Sequence, residues 1–226
     1  MKRLLLFAAI TIASVTASVG QSRYFIKECI REWGACREVA ITDKGGDIAL
    51  NGTNQFAHDG ISKTLAKNLQ NLHDSAYQIN DVQLTEKGRW LINYGNGLLR
   101  WHKIPVMLRN SIFELIASGQ QIRSVTFNDD SEWIVVSDKG DVRSSFIKMD
   151  DWVEAGRAKY GALRFAQINN EGMILAYERG YMYLGNVSQK LKDALRAADF
   201  DVTTIKFTPQ GAYFFAGKDG SYIYNM

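Results

Sequence analysis

Few side chains in this chain of 226 residues have the type and spacing to do covalent chemistry. Histidine occurs at His58, His73 and His102, and no two stand at the i, i+4 spacing that sets imidazoles side by side on a helix for a metal. The two cysteines, Cys29 and Cys36, are remote in sequence from all three histidines. Neither a thiol–imidazole pair nor a zinc set follows, and no metal or cofactor is expected. Asp129-Asp130 and Asp150-Asp151 are paired carboxylates. They read as a turn and as a helix N-terminus, where acidic groups answer the helix dipole. No G-x-S-x-G elbow, P-loop or H-E-x-x-H occurs. The stretch YGNGLL from Tyr94 is glycine-rich like a phosphate loop, but it leads into a strand, so it reads as a hairpin turn.

A second set of residues suits recognition. Behind four hairpin glycines, Arg100, Arg143 and Tyr183 fall at equivalent positions, accompanied by Tyr181, Trp101 and Tyr222. Arginine offers a planar fork of donors and tyrosine a stacking face, a combination suited to sugars, peptides or acidic groups. If the units carrying these residues form a ring, equivalent positions converge on one face or on the axis. The plain alternative is an outer sheet surface wetted by solvent, with Trp101, like Trp90 and Trp133, serving the core.

The elements that must position these residues repeat. The pattern apolar-x-apolar, three polar residues, a turn residue, x, then an apolar run occurs as VAITDKGGDIALN from Val39 and VQLTEKGRWLINY from Val82. It returns as VTFNDDSEWIVVS from Val125, AQINNEGMILAYE from Ala166 and IKFTPQGAYFFAG from Ile205. The starts lie 43, 43, 41 and 39 residues apart, the signature of a repeat in which each unit needs its neighbours. Each unit reads as a short strand such as Val82–Leu84, a turn at Gly45, Gly88, Ser131, Gly172 or Gly211, and a second strand. A hairpin turn and a third strand follow. The second strands, such as Trp90–Tyr94, are apolar on both alternating faces and so are covered on both sides.

After the third strand the period changes to that of a helix: Ile61, Leu65, Leu69 and Leu72 in one unit, and Leu108, Ile112, Leu115 and Ile116 behind Pro105 in the next. Val187, Leu191 and Leu195 repeat it, whereas MDDWVEAGRAKYG in the third unit carries the pattern weakly. The fifth unit stops at Met226 without a helix, while Tyr24–Trp33 holds Phe25, Ile26, Cys29, Ile30 and Trp33 at helical spacing ahead of the first unit. That helix is expected to complete the fifth unit and close the array, removing its exposed edges.

The expected fold is therefore α+β, a closed ring of five strand-strand-strand-helix repeats over 21–226. In cyclic order these elements resemble the ββαβ units of the pentein α/β-propellers, a similarity of architecture without a shared motif. The resemblance carries no activity across, because the pentein enzymes rely on a nucleophilic cysteine and both cysteines here lie at the seam. A five-bladed β-propeller of the lectin type with helical insertions is the alternative, and an open solenoid the third.

Lys2 and Arg3, the apolar run Leu4–Ile12 and small residues to Gly20 have the pattern of a secretory signal peptide over residues 1–20, with an uncleaved anchor as the alternative. In an exported chain Cys29 and Cys36 are expected to form a disulfide. Seven residues of continuous helix span about 10 Å, so a bridge needs the helix to end near Gly34; otherwise two buried thiols remain. The sequons Asn51-Gly-Thr53 and Asn186-Val-Ser188 read as a turn and a helix start. Lys2 and Arg3 supply two of the three net positive charges, so nothing suggests a nucleic-acid partner, and no later segment is apolar enough to span a membrane. The reading is a monomeric, exported, non-catalytic protein binding a glycan, an envelope component or a protein. A hydrolase with carboxylates at the ring axis is the alternative.

Overall fold

The computed structural model describes residues 19–226, and the expected leader lies outside them except for the backbone of Val19 and Gly20. Helix α1 (Val19–Trp33) precedes the first sheet of β1 (Glu38–Ala40), β2 (Asp47–Asn51) and β3 (Gln55–Asp59). Helix α2 (Lys63–Asp74) leads to the second sheet, β4 (Ile79–Leu84), β5 (Trp90–Tyr94) and β6 (Leu98–His102). Helix α3 (Val106–Ala117) leads to the third, β7 (Ile122–Phe127), β8 (Trp133–Ser137) and β9 (Val142–Ser144). Helix α4 (Met149–Tyr160) leads to the fourth, β10 (Leu163–Ile168), β11 (Gly172–Tyr177) and β12 (Gly180–Gly185). Helix α5 (Gln189–Ala197) leads to the fifth, β13 (Val202–Phe207), β14 (Tyr213–Gly217) and β15 (Tyr222–Asn225). Each sheet is an antiparallel meander with its second strand in the middle.

The second strands are apolar on both faces because each divides its side chains between two cores. In β5, Leu91 packs with Leu108, Ile112 and Leu115 of α3, while Trp90 and Ile92 pack with Leu65, Leu69 and Leu72 of α2. In β8, Val135 joins the α3 core and Ile134 and Val136 join Met149 and Val153 of α4. In β11, Leu175 faces α4 and Ile174 faces Leu191 and Leu195 of α5. In β14, Phe215 faces the α5 core, and Phe214 and Ala216 face Ile26 and Ile30 of α1. The α1 core also takes Val39 and Ala49 of the first sheet, so α1 lies against the first and the fifth sheets at once. Every helix thus fills the wedge between two sheets, which is why one apolar stripe per helix suffices.

The first strands are neighbours: β1 contacts β4 and β13, and β7 contacts β4 and β10. β10 also contacts β13. At the turns that follow these strands, side chains of one unit bind backbone of the previous one. Glu86 accepts from the N–H groups of Asp43 and Lys44, and Asp129 Oδ1 accepts from Lys87 N–H at 3.2 Å. Asn170 Oδ1 accepts from Asp129 N–H at 3.2 Å, and Asp43 Oδ2 accepts from Gln210 N–H at 3.2 Å. The equivalent residue of the fifth unit is Pro209, which has no side-chain acceptor to offer. Asp129, read as a turn residue, is therefore also a link between two units.

Two expectations change. The weak helical pattern of the third unit is a full helix, α4, with Asp150 and Asp151 in its first turn and Tyr177 beneath it. Its weak signal has a cause. Gly156 stands where an apolar residue belongs, because a Cβ there would come within 2.0 Å of the Tyr177 ring.

The expected disulfide is absent: Cys29 and Cys36 are both free thiols. The helix does stop at Gly34, with φ +67°, but the Cys36 thiol is drawn to the sheet, donating toward the Glu38 carbonyl at 3.3 Å and the Leu50 carbonyl at 3.6 Å. Burial pushes this thiol up to about 12, and burial beside Glu32 and Glu28 raises that of Cys29. Cys36 has no exposed surface, whereas Cys29 is partly exposed. Iodoacetamide at pH 8 is expected to label Cys29 slowly and leave Cys36 intact until denaturant is added, as read by peptide mass spectrometry. Recovery of an oxidised Cys29–Cys36 peptide from the native protein would restore the bridge.

Candidate functional site

Four of the five first strands share an irregularity. The pairing register slips between Ile79 and Asp81, Ile122 and Ser124, Leu163 and Phe165, and Val202 and Thr204. Each slip is a β-bulge at the same place in its unit, and the skipped residues are Asn80, Arg123, Arg164 and Thr203. A bulge bends its strand and re-aims a side chain, and bulges gather at the rims of functional sites. All four skipped residues line one cavity of about 370 Å³. In the first unit the equivalent residue is Arg37, which lies just before β1 and spends its guanidinium on backbone carbonyls. It donates to Asn80 at 3.1 Å, to Gly52 at 2.6 Å and to Ile79.

One residue further along, the walls carry Glu38, Asp81, Ser124, Phe165 and Thr204, one from each first strand. Beyond these, Gln83, Gln167 and Lys206 form the floor. The same three residues border a second, smaller space of about 60 Å³, lined by the turn-proximal ends of the same strands. The floor therefore separates the two spaces.

The floor is held by charge. Lys206 Nζ lies 2.8 Å from Asp81 Oδ1 and 3.7 Å from Glu38 Oε1. Gln83 Nε2 donates to Asp81 at 2.9 Å, and Gln167 Nε2 approaches Gln83 Oε1 at 3.5 Å. Burial works against the Lys206 charge, but Asp81 and Glu38 outweigh it and hold the ammonium above its ordinary range. Glu38 is 4% exposed, and burial pushes its carboxyl up to about 7 against the pull of Lys206. An acid raised from 4.5 holds its proton more firmly folded than unfolded, so this contribution to stability is full below pH 4.5 and lost as pH rises through 7. Glu38→Gln should therefore gain about 2 kcal/mol relative to the wild type between pH 5 and pH 8, measured by urea unfolding at both. Parallel pH profiles for the two proteins would contradict a raised Glu38.

The residues singled out for recognition lie elsewhere, on the third strands, with none lining the cavity. Arg100 lies over the Tyr94 ring at 5.2 Å and donates to Asn68 Oδ1 at 3.3 Å, while Arg143 is exposed on β9. Tyr181 and Tyr183 are ring neighbours at 6.1 Å, Trp101 meets Phe113 edge-on, and Tyr222 stacks between Phe214 and Tyr224. Arg100, Arg143 and Tyr183 thus stand on three different sheets and share no hydrogen-bond or ring partner among the described residues, whereas the first-strand set lines one cavity. The sequence did hold a signal for it: the residues just ahead of four of the five repeat starts, Arg37-Glu38, Asn80-Asp81, Arg123-Ser124 and Thr203-Thr204, interrupt the apolar pattern with polar groups.

His58 and His73 both pack against Phe56, and His102 stacks on Trp90. Among the described residues no cluster of three or more His, Cys, Asp or Glu could hold a metal ion. No helix among them is long and apolar enough to cross a membrane.

These elements define a five-unit repeat protein of antiparallel meanders alternating with helices. No protein-family model matches the chain, and no curated protein matches it by sequence. Among solved structures it is similar to the extracellular domain of the one-component system BT4673 from B. thetaiotaomicron, at 9% identity and a TM-score of 0.32, over 84% of this chain and 29% of that one. The chain spans less than a third of that structure, and so slight a likeness defines neither fold nor role.

Proposed function

We propose that this chain is an exported binding module, a closed five-bladed ring whose central cavity takes a small polar ligand. One observation carries the reading: five separate sheets present side chains at equivalent positions to a single cavity of about 370 Å³. That volume falls within the range of small-molecule sites, about 300–1,000 Å³. Ring closure is supported by the contact of β1 with β13, the Gln210–Asp43 link and the seat of α1 against the first and fifth sheets. Glycan-type ligands suit a wall of amides, hydroxyls and guanidinium groups. Export rests on the leader pattern at the N-terminus.

The test is a thermal-shift and glycan-array screen of the wild type, of Thr203→Trp, which fills the cavity rim, and of the double variant Arg100→Ala, Arg143→Ala. A ligand lost on Thr203→Trp but kept by the double variant supports the cavity. The opposite pattern moves the site to the third strands, with Arg100, Arg143, Trp101, Tyr181, Tyr183 and Tyr222.

A second reading has its own observation. A carboxyl raised to about 7 near a second carboxylate is the arrangement that general acid catalysis needs, so Glu38 and Asp81 could serve a hydrolase. Chromogenic glycosides test it: turnover abolished by Glu38→Gln would favour the enzyme, and no turnover of any of them would retire it.

A further inference from the structure

Charge is not spread evenly around the cavity. Its two carboxylates, Glu38 and Asp81, come from the first and second sheets, and both are answered by Lys206. Its two arginines, Arg123 and Arg164, come from the third and fourth sheets, whose first strands are in contact. Both sit at bulges, so both side chains are re-aimed by the backbone at the same level of the wall.

Their partners differ. Arg164 pairs through two nitrogens with Asp201, whose side chain is 71% exposed, and an ion pair that open to water is weak and easily exchanged. Arg123 donates one nitrogen to the Asp138 carbonyl at 2.8 Å and makes no ion pair among the described residues. The wall therefore carries one guanidinium with no ion-pair partner among the described residues and a second whose partner can be displaced. Around them Asn80, Asn93, Thr203 and Thr204 provide neutral hydrogen-bonding groups, and the Asp81 carboxylate, which accepts from Lys206 and Gln83, has further lone pairs to offer a ligand hydroxyl.

Resting on the cavity reading above, we infer that the ligand is a small hydroxylated carboxylate, of sugar-acid chemistry. Its carboxylate meets Arg123 and Arg164, and its hydroxyls face Asp81, the asparagines and the threonines. A guanidinium fork matches a planar carboxylate through two parallel hydrogen bonds, which a neutral hydroxyl cannot reproduce. Glu38 and Asp81 share one ammonium, Lys206, and so disfavour a second anionic group on the ligand, which specifies a single acidic group.

Titration calorimetry of the purified protein with D-galacturonate, D-glucuronate, D-galactose, glucose 6-phosphate and glycine tests this. At least one uronate should bind saturably, at least tenfold more tightly than galactose, and more weakly as salt rises. Arg123→Gln should cost that uronate at least tenfold in affinity, and Arg123→Lys, which keeps the charge without the fork, should cost less. Circular dichroism of both variants checks that they are folded. Galactose binding as tightly as the uronates and indifferent to Arg123→Gln would overturn the acid while leaving the cavity as the site. Tighter binding of glucose 6-phosphate or glycine would overturn it in favour of phosphate or zwitterion chemistry. No binding of any probe would overturn it too, and the broader screen with Thr203→Trp then decides separately whether the cavity binds anything.

Discussion

Replacing Ile26 and Ile30 together by alanine is expected to remove most of the stability of the whole protein, although both residues lie on the first helix of the chain. Neither has any exposed surface, and both pack against Phe214 and Ala216 of the fifth sheet as well as Val39 and Ala49 of the first. A buried isoleucine cut back to alanine costs about 2–5 kcal/mol, through lost transfer energy and an unfilled cavity. Two such changes approach the total of about 5–15 kcal/mol that holds a typical domain. The loss spreads because the α1 core joins the ends of the repeat array; without it two sheet faces are uncovered. Tyr24→Ala serves as the control, since Tyr24 is 64% exposed and its loss should cost no more than about 0.5 kcal/mol. Urea unfolding reads both. A double variant that unfolds within a few tenths molar of the wild type would mean that α1 is an accessory and that the array stands without it.

Lys206→Met should be the most damaging single change at the candidate site. Methionine keeps the length and the apolar stem, so the effect isolates the charge. Without the ammonium, Glu38 and Asp81 face each other's field at the cavity floor, with Glu38 almost wholly buried. Removing one partner of a buried ion pair costs about 3–5 kcal/mol, because the remaining charge is left uncompensated. The sign of the pH dependence follows from the raised Lys206 pKa: its own contribution is full below 10.5 and is lost only as pH rises past its folded value. Between pH 5 and 8 the change therefore comes from Glu38, whose raised carboxyl takes up its proton as pH falls through about 7. The deficit of Lys206→Met should be largest at pH 8 and shrink toward pH 5. Adding Glu38→Gln should recover part of it at pH 8, a coupling that a double-mutant cycle measures directly. An additive cycle with a pH-independent deficit would show that Lys206 acts by packing and not by charge.

By itself the sequence determined the unit and its grammar. The turn glycines, the doubly apolar second strands and the helical stripe recur in phase, and the five antiparallel three-stranded sheets follow them. Local chemistry is sufficient there, since Gly45, Gly88 and Gly211 supply backbone with positive φ and Leu65, Leu69 and Leu72 lie on one helix face wherever the helix is placed. Three of the second strands, Trp90–Tyr94, Trp133–Ser137 and Tyr213–Gly217, have the bounds that their apolar runs imply. Where the signal was weak, a neighbour explains it: Gly156 blunts the stripe of α4 to admit the Tyr177 ring, a partner 21 positions later in the chain.

Only the tertiary structure decided the rest. Four of the five first strands begin three residues before the apolar pattern does, because Asn80, Arg123, Arg164 and Thr203 are bulged and polar where an ordinary strand would alternate. Polarity there reads as loop in one dimension; in three, these residues line a cavity that no single unit contains. The same holds for Lys206, which meets Asp81 across 125 positions of sequence, and for Cys36, whose thiol turns to the Leu50 carbonyl instead of to Cys29. A repeat can be read from its own residues, but a site built from one residue per repeat exists only once the units are packed side by side.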